Sequence, residues 1–154
     1  MRPIVTRGIF VLCVGCALLA LSARTDHDVV SAQHRAPIKV TRIFTGPDGL
    51  THAEEITPKL TASGLGELSE MIKVTGLQFR RQSPKYFLDW HPAPRRQYVI
   101  TLSGRGEIEL TGGKKIPLEP GHILLAEDVT GKGHISRGVG SEDRISLFIP
   151  LADE

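Results

Sequence analysis

Residues 97–110 read QYVITLSGRGEIEL. Gln97 to Leu102 is rich in β-branched and aromatic residues, and Gly106 to Leu110 alternates polar and apolar at a period of two, so both runs predict strands. Thr111-Gly112-Gly113 follows with hairpin-turn chemistry. Lys115 to Leu118 then reads as a strand and Glu119-Pro120-Gly121 as a turn. Further along the chain, Ile123–Ala126, His134–Arg137 and Arg144–Ile149 repeat the pattern. Towards the amino terminus, Tyr86–Trp90, Leu77–Phe79, Met71–Val74 and Ile38–Phe44 do the same, and Gly46-Pro47-Asp48-Gly49 is a turn. Leu60 to Met71 is the one stretch with room for a helical turn, weakened by Gly64 and Gly66. Eight to ten strands with almost no helix predict an all-β barrel or sandwich, without solenoid repeats.

The composition agrees. The chain has 154 residues, 40% hydrophobic and 23% charged, which fits a globular protein of one domain. From Thr25 onward, 16 basic residues stand against 17 acidic ones, too even a balance for a nucleic-acid surface.

The first 32 residues read as an address rather than as part of the domain. Arg2 and Arg7 precede Gly8–Ala23, 16 residues without a charge. That is shorter than the roughly 20 residues of a membrane-spanning helix and has the layout of a secretory signal. Cleavage after Ala23 or after Ala32 satisfies the small-residue rule, and both stay open. The expectation is a signal peptide and leader over 1–32 and a single domain over 33–154, exported to a periplasm or secreted, or held at the membrane by the uncleaved segment. Cys13 and Cys16 both fall inside this segment, so the domain itself has no cysteine and needs no disulfide.

Residues 90–151 resemble a cupin. Tyr98 to Leu110 is similar to the strand, Gly turn and strand of the first cupin motif. Leu118-Glu119-Pro120-Gly121-His122-Ile123-Leu124-Leu125-Ala126 is similar to the opening of the second, and Gly131-Lys132-Gly133-His134 to its close. The resemblance implies a jelly-roll barrel, also called a double-stranded β-helix, and a ligand set facing into it. Anchoring the first motif on Gly104 aligns Gln97 with the family's Glu and aligns His91 and Ala93 with its two His. His134 falls on the His of the second motif. His91, Gln97 and His134 are therefore the implied ligands of one divalent transition metal (iron, manganese, zinc or nickel), with Ala93 and Gln97 departing from the family's donors. Positions 91, 93 and 97 share parity, so His91 and Gln97 are able to face one cavity on a regular strand. Asp89, Glu127 or Asp128 would be needed to complete a two-His, one-carboxylate set. In the competing reading, His91 caps an aromatic patch and His134 bridges to the backbone or to Asp128.

Other residues are candidates for ligand contact. Trp90 and Tyr98 offer an aromatic wall, and Asp128 and Thr130 lie in the polar loop before His134. Arg80-Arg81 and Arg95-Arg96 suit a carboxylate or phosphate, or protect solvated strand edges. His122, in a turn, is expected to be exposed. No P-loop, nucleophile elbow or catalytic cysteine is present in the domain. Two functional readings follow: an exported binding module for a small molecule with an eroded metal site, or a metal-dependent enzyme of the dioxygenase or isomerase type acting on a small organic acid. The sequence leaves catalysis undecided. A homodimer is the expected protein partner, nucleic acid is not, and a membrane is met only through the amino-terminal segment.

Overall fold

The computed structural model describes residues 35–152. The signal segment, its cleavage positions and both cysteines lie outside the described residues. The fold belongs to the second of two units, Ala36–Glu154.

Twelve strands run in chain order: β1 (Val40–Thr45), β2 (Thr51–Ile56), β3 (Leu60–Ser63), β4 (Gly66–Ser69), β5 (Gln78–Gln82), β6 (Phe87–His91), β7 (Gln97–Ser103), β8 (Arg105–Glu109), β9 (Lys115–Leu118), β10 (Ile123–Glu127), β11 (His134–Val139) and β12 (Arg144–Pro150). Among the described residues there is no helix. A six-stranded sheet has the order β2-β1-β10-β7-β12-β5, and a four-stranded sheet the order β6-β11-β8-β9. From β6 onward the chain passes back and forth between the two sheets, which is the winding of a double-stranded β-helix. Apolar side chains from both sheets, among them Ile43, Ile108, Leu118, Leu124 and Phe148, form one buried cluster. The β8–β9 hairpin closes through Gly112 and Gly113, whose φ values of 87° and 81° suit glycine and almost nothing else.

Three expectations are corrected. Leu60 to Met71 is not helical: β3 and β4 pair as a hairpin with Ser63 opposite Gly66, and Gly64 takes the positive φ that such a two-residue turn requires. Met71–Val74 is not a strand, and makes only an isolated bridge from Val74 to Leu151. β2 was not anticipated, because Thr51-His52-Ala53-Glu54-Glu55-Ile56 lacks alternation; it is an edge strand held by antiparallel pairing along the whole of β1.

β7 and β12 orient against their own hydrophobicity. Gln97, Val99 and Thr101 of β7 are buried, while Tyr98 and Ile100 are half-buried and Leu102 is exposed. On β12, Arg144, Ser146 and Phe148 are buried and Ile145, Leu147 and Ile149 are only partly covered. The two strands are paired, with Ser146 opposite Thr101 and Phe148 opposite Val99. The barrel interior therefore receives an arginine, a glutamine and two hydroxyls from the centre of the sheet.

The loop between β10 and β11 is fixed to its surroundings. The Thr45 hydroxyl donates to the carbonyl of Thr130 at 2.9 Å. The amide of Lys132 donates to the carbonyl of Gly49 at 3.0 Å, and that of Ala93 to the carbonyl of Asp128 at 2.9 Å. Gly133 lies so close to β6 that a Cβ there would come within 2.0 Å of the His91 carbonyl oxygen.

Candidate functional site

The end of β6 and the start of β11 pair with His91 opposite His134. Their rings lie 4.5 Å apart between centroids, tilted by 55°. The Nδ1 of His91 donates to the carbonyl of Asp89 at 2.7 Å. The Nδ1 of His134 donates to Oδ2 of Asp128 at 2.6 Å. That oxygen also accepts from the Thr51 hydroxyl at 3.0 Å. A carbonyl and a carboxylate only accept here, so both imidazoles carry a proton on Nδ1, and a neutral ring leaves a lone pair on Nε2. Burial pushes the His91 pKa below its ordinary value, and the Asp89 hydrogen bond opposes this.

Both histidines line a cavity of about 300 Å³ between the two sheets. Gln97 faces it from β7, in the other sheet, and Ala93 from the irregular segment after β6, where Pro92 and Pro94 line it too; the regular strand through 91, 93 and 97 that the parity argument required is not present. Val99, Ile108, Leu118, Leu124 and Phe148 supply its apolar wall.

As a metal centre the arrangement is short of donors. Two imidazoles with engaged Nδ1 atoms have the orientation that metal-binding histidines take. Gln97 is a neutral third donor, and among the described residues no aspartate or glutamate lines the cavity. The carboxylates that might complete a set are held elsewhere. Asp89 accepts from the amide of Trp90 at 2.9 Å. Glu127 receives Arg42 at 2.6 Å and Arg96 at 2.7 Å, which hold its pKa down against the effect of burial. Asp128 stands behind His134. Among the described residues, no group of three His, Cys, Asp or Glu side chains is placed to hold a metal ion. The residues do not fit a two-His, one-carboxylate centre.

Several sequence candidates lie elsewhere. Trp90 precedes His91 on β6 and so takes the opposite face, where the Lys132 ammonium sits 4.1 Å from its ring centroid. Tyr98 is likewise out of phase with Gln97 and lines a separate surface depression with Met71 and Arg96. Thr130 is exposed and held through its carbonyl. Asp128 is fully buried and supports His134 rather than the cavity. His122 is half-buried rather than exposed, with Nε2 2.9 Å from the Thr41 hydroxyl.

On the other side of the cavity the sequence reading offered Arg80 and missed Arg144. Arg144 is 6% exposed and lines it, with Gln82, Tyr86 and Arg80 nearby. Nη2 of Arg144 donates to Oε1 of Gln82 at 2.5 Å, while Nη1 is buried without a hydrogen-bond partner. Burial lowers the Arg144 pKa, Tyr86 opposes the shift, and Arg80 adds to it. The hydroxyls of Thr101 and Ser146 are also buried and unpartnered. Only the inverted phase of β12, read as Arg144-x-Ser146-x-Phe148 facing in, would have revealed this cluster.

No family model matches the chain, and no curated protein matches it. Solved structures do. An RmlC-like cupin protein from Desulfovibrio desulfuricans is 19% identical over 52% of this chain and 80% of its own, with a TM-score of 0.35. The dTDP-6-deoxy-D-glucose-3,5-epimerase RmlC of Legionella pneumophila is 12% identical over 74% of this chain and 73% of its own, with a TM-score of 0.39. A putative ethanolamine utilization protein Q from Salmonella typhimurium is 11% identical over 77% of this chain and all of its own, with a TM-score of 0.40.

Proposed function

We propose that this chain, a cupin-like double-stranded β-helix, is an exported protein that holds one small organic molecule inside its barrel. The observation that supports this is the cavity of about 300 Å³, with its apolar wall and a few convergent polar groups, the arrangement of small-molecule sites. His91 and His134 offer Nε2 acceptors to the ligand, and Gln97 offers both an acceptor and a donor. Export rests on the basic and apolar pattern of the first 32 residues, with a periplasmic or secreted destination.

The alternative is a metal-dependent enzyme of the dioxygenase or isomerase type acting on a small organic acid. It draws support from one observation, the engagement of both Nδ1 atoms, which leaves two Nε2 lone pairs on neighbouring strands. Elemental analysis and native mass spectrometry of the untagged full-length protein separate the two readings. The binding reading predicts well under one metal per chain after incubation with iron, manganese, zinc and nickel, together with a bound organic species. Near one metal per chain, lost in a His91→Ala/His134→Ala double variant, overturns it in favour of the enzyme. Neither metal nor organic ligand overturns both.

A further inference from the structure

We propose that the β3–β4 hairpin is an exchange arm: in a dimer, each copy lays its arm along the β5 edge of the other. The proposal is independent of what the cavity holds. β3 and β4 pair with each other and, among the described residues, with no other strand. Apart from the half-buried Leu60, every residue of both strands is exposed. A lone two-stranded hairpin is at best marginally stable in water. This one also carries apolar side chains into solvent: Leu68 is 63% exposed and Met71, just beyond β4, is 96% exposed. Apolar residues gathered on such a projection mark a contact surface.

β5 supplies a matching surface. It is the last strand of the six-stranded sheet, so among the described residues one of its edges has no strand beside it. Arg80 and Gln82 line the cavity, so Phe79 and Arg81 face outward by the period of two. Phe79 is 73% exposed and continues a row through Leu147, Ile100 and Ile123 across the outside of the sheet. The four-stranded sheet differs: Arg137 and Lys115 are ion-paired with Glu107 there, which suits a face in water. The charges of arm and edge are complementary. From Leu60 to Met71 they are Glu67 and Glu70; from Gln78 to Tyr86 they are Arg80, Arg81 and Lys85. Arg81 meets Asp143 only at 3.9 Å, with both side chains exposed. Within one chain the two surfaces are held apart. Three residues join β3 to β2, and β2 is the opposite edge of the sheet from β5. The occupant of the β5 edge is therefore the arm of a second copy. The exchange is reciprocal about a two-fold axis, so each dimer makes the contact twice. Main-chain hydrogen bonds of an added strand supply affinity, and the apolar and charged side chains supply specificity.

The test is sedimentation equilibrium of the full-length protein with two charge reversals, Glu67→Lys/Glu70→Lys on the arm and Arg81→Glu/Lys85→Glu beside the edge. The parent is expected to be a dimer. Each reversal alone should raise the dimer dissociation constant about tenfold or more, because it sets like charges together. An equimolar mixture of the two should dimerise as the parent does, since each arm then meets an edge of opposite sign. All four positions are exposed, so folding should be kept, which circular dichroism checks. Phe79→Ser gives an uncharged second reading and should weaken the dimer by a similar factor; an unchanged constant there overturns the proposal. A monomeric parent overturns it too. So does a dimer that survives both reversals, as association through the amino-terminal segment or another face would. Reversals that separate the copies without recovery on mixing overturn the pairing of arm with edge.

Discussion

At one end of the cavity, the His134 imidazole leans on Asp128, which in turn accepts from Thr51, and His91 is held by a backbone carbonyl. Elsewhere along its wall, Arg144 has one neutral partner for Nη2 and none for its buried Nη1. Both ends bury polar side chains, yet only the histidine end places a carboxylate against its ring. That contrast separates two uses of buried polarity. At the histidine end the acid Asp128 holds one ring through Oδ2, although its Oδ1 is buried without a partner. At the arginine end no carboxylate stands against the buried charge.

Breaking the supported end should cost most. Asp128→Ala leaves His134 and Thr51 without their shared acceptor in a fully buried position, and should destabilise the protein by about 3 kcal/mol in urea unfolding. A loss under about 1 kcal/mol would erase the difference between the ends. The opposite sign is expected at the other end. Arg144→Met should stabilise the ligand-free protein by about 1–2 kcal/mol, measured the same way.

The smallest effect is on pH dependence. Burial lowers the pKa of both His91 and His122, and the nearby Arg144 adds to the lowering at His122. For a base whose folded pKa is depressed, the unfolded state binds protons first on acidification. Stability from these groups is therefore present above pH about 6.5 and is lost as pH falls towards their folded values. Histidine titration by NMR should show the His122 pKa rising in Arg144→Met and that of His91 hardly moving. An unchanged His122 would remove Arg144 from its surroundings.

Much of the fold was legible because period-two alternation survives in β8 and Gly-rich turns punctuate the run from β7 to β10. β2 was not, since its order comes from pairing with β1 rather than from its own residues. His91, Gln97 and His134 were legible as motif positions, but Gln97 reaches the cavity from a separate strand in the other sheet, so its parity with His91 does not explain its place. Arg144 was hidden because Ile145, Leu147 and Ile149 suggest the wrong inner face. A strand's phase is set by its neighbours and by the turns that join it to them, and a one-residue difference exchanges the two faces completely. Trp90 and Tyr98 were misplaced by the same one-residue step.

The pinned loop from Asp128 to His134 has a consequence in time. It is tied to β1, to the turn before β2 and to Ala93, and Gly133 is wedged against the backbone of His91. A segment held at so many points does not swing aside to admit a guest. For a ligand held as proposed, this loop supplies no gate between encounter and capture. The residence time of a ligand is left to the contacts within, and changes to those contacts should appear in dissociation rates while association rates stay nearly constant.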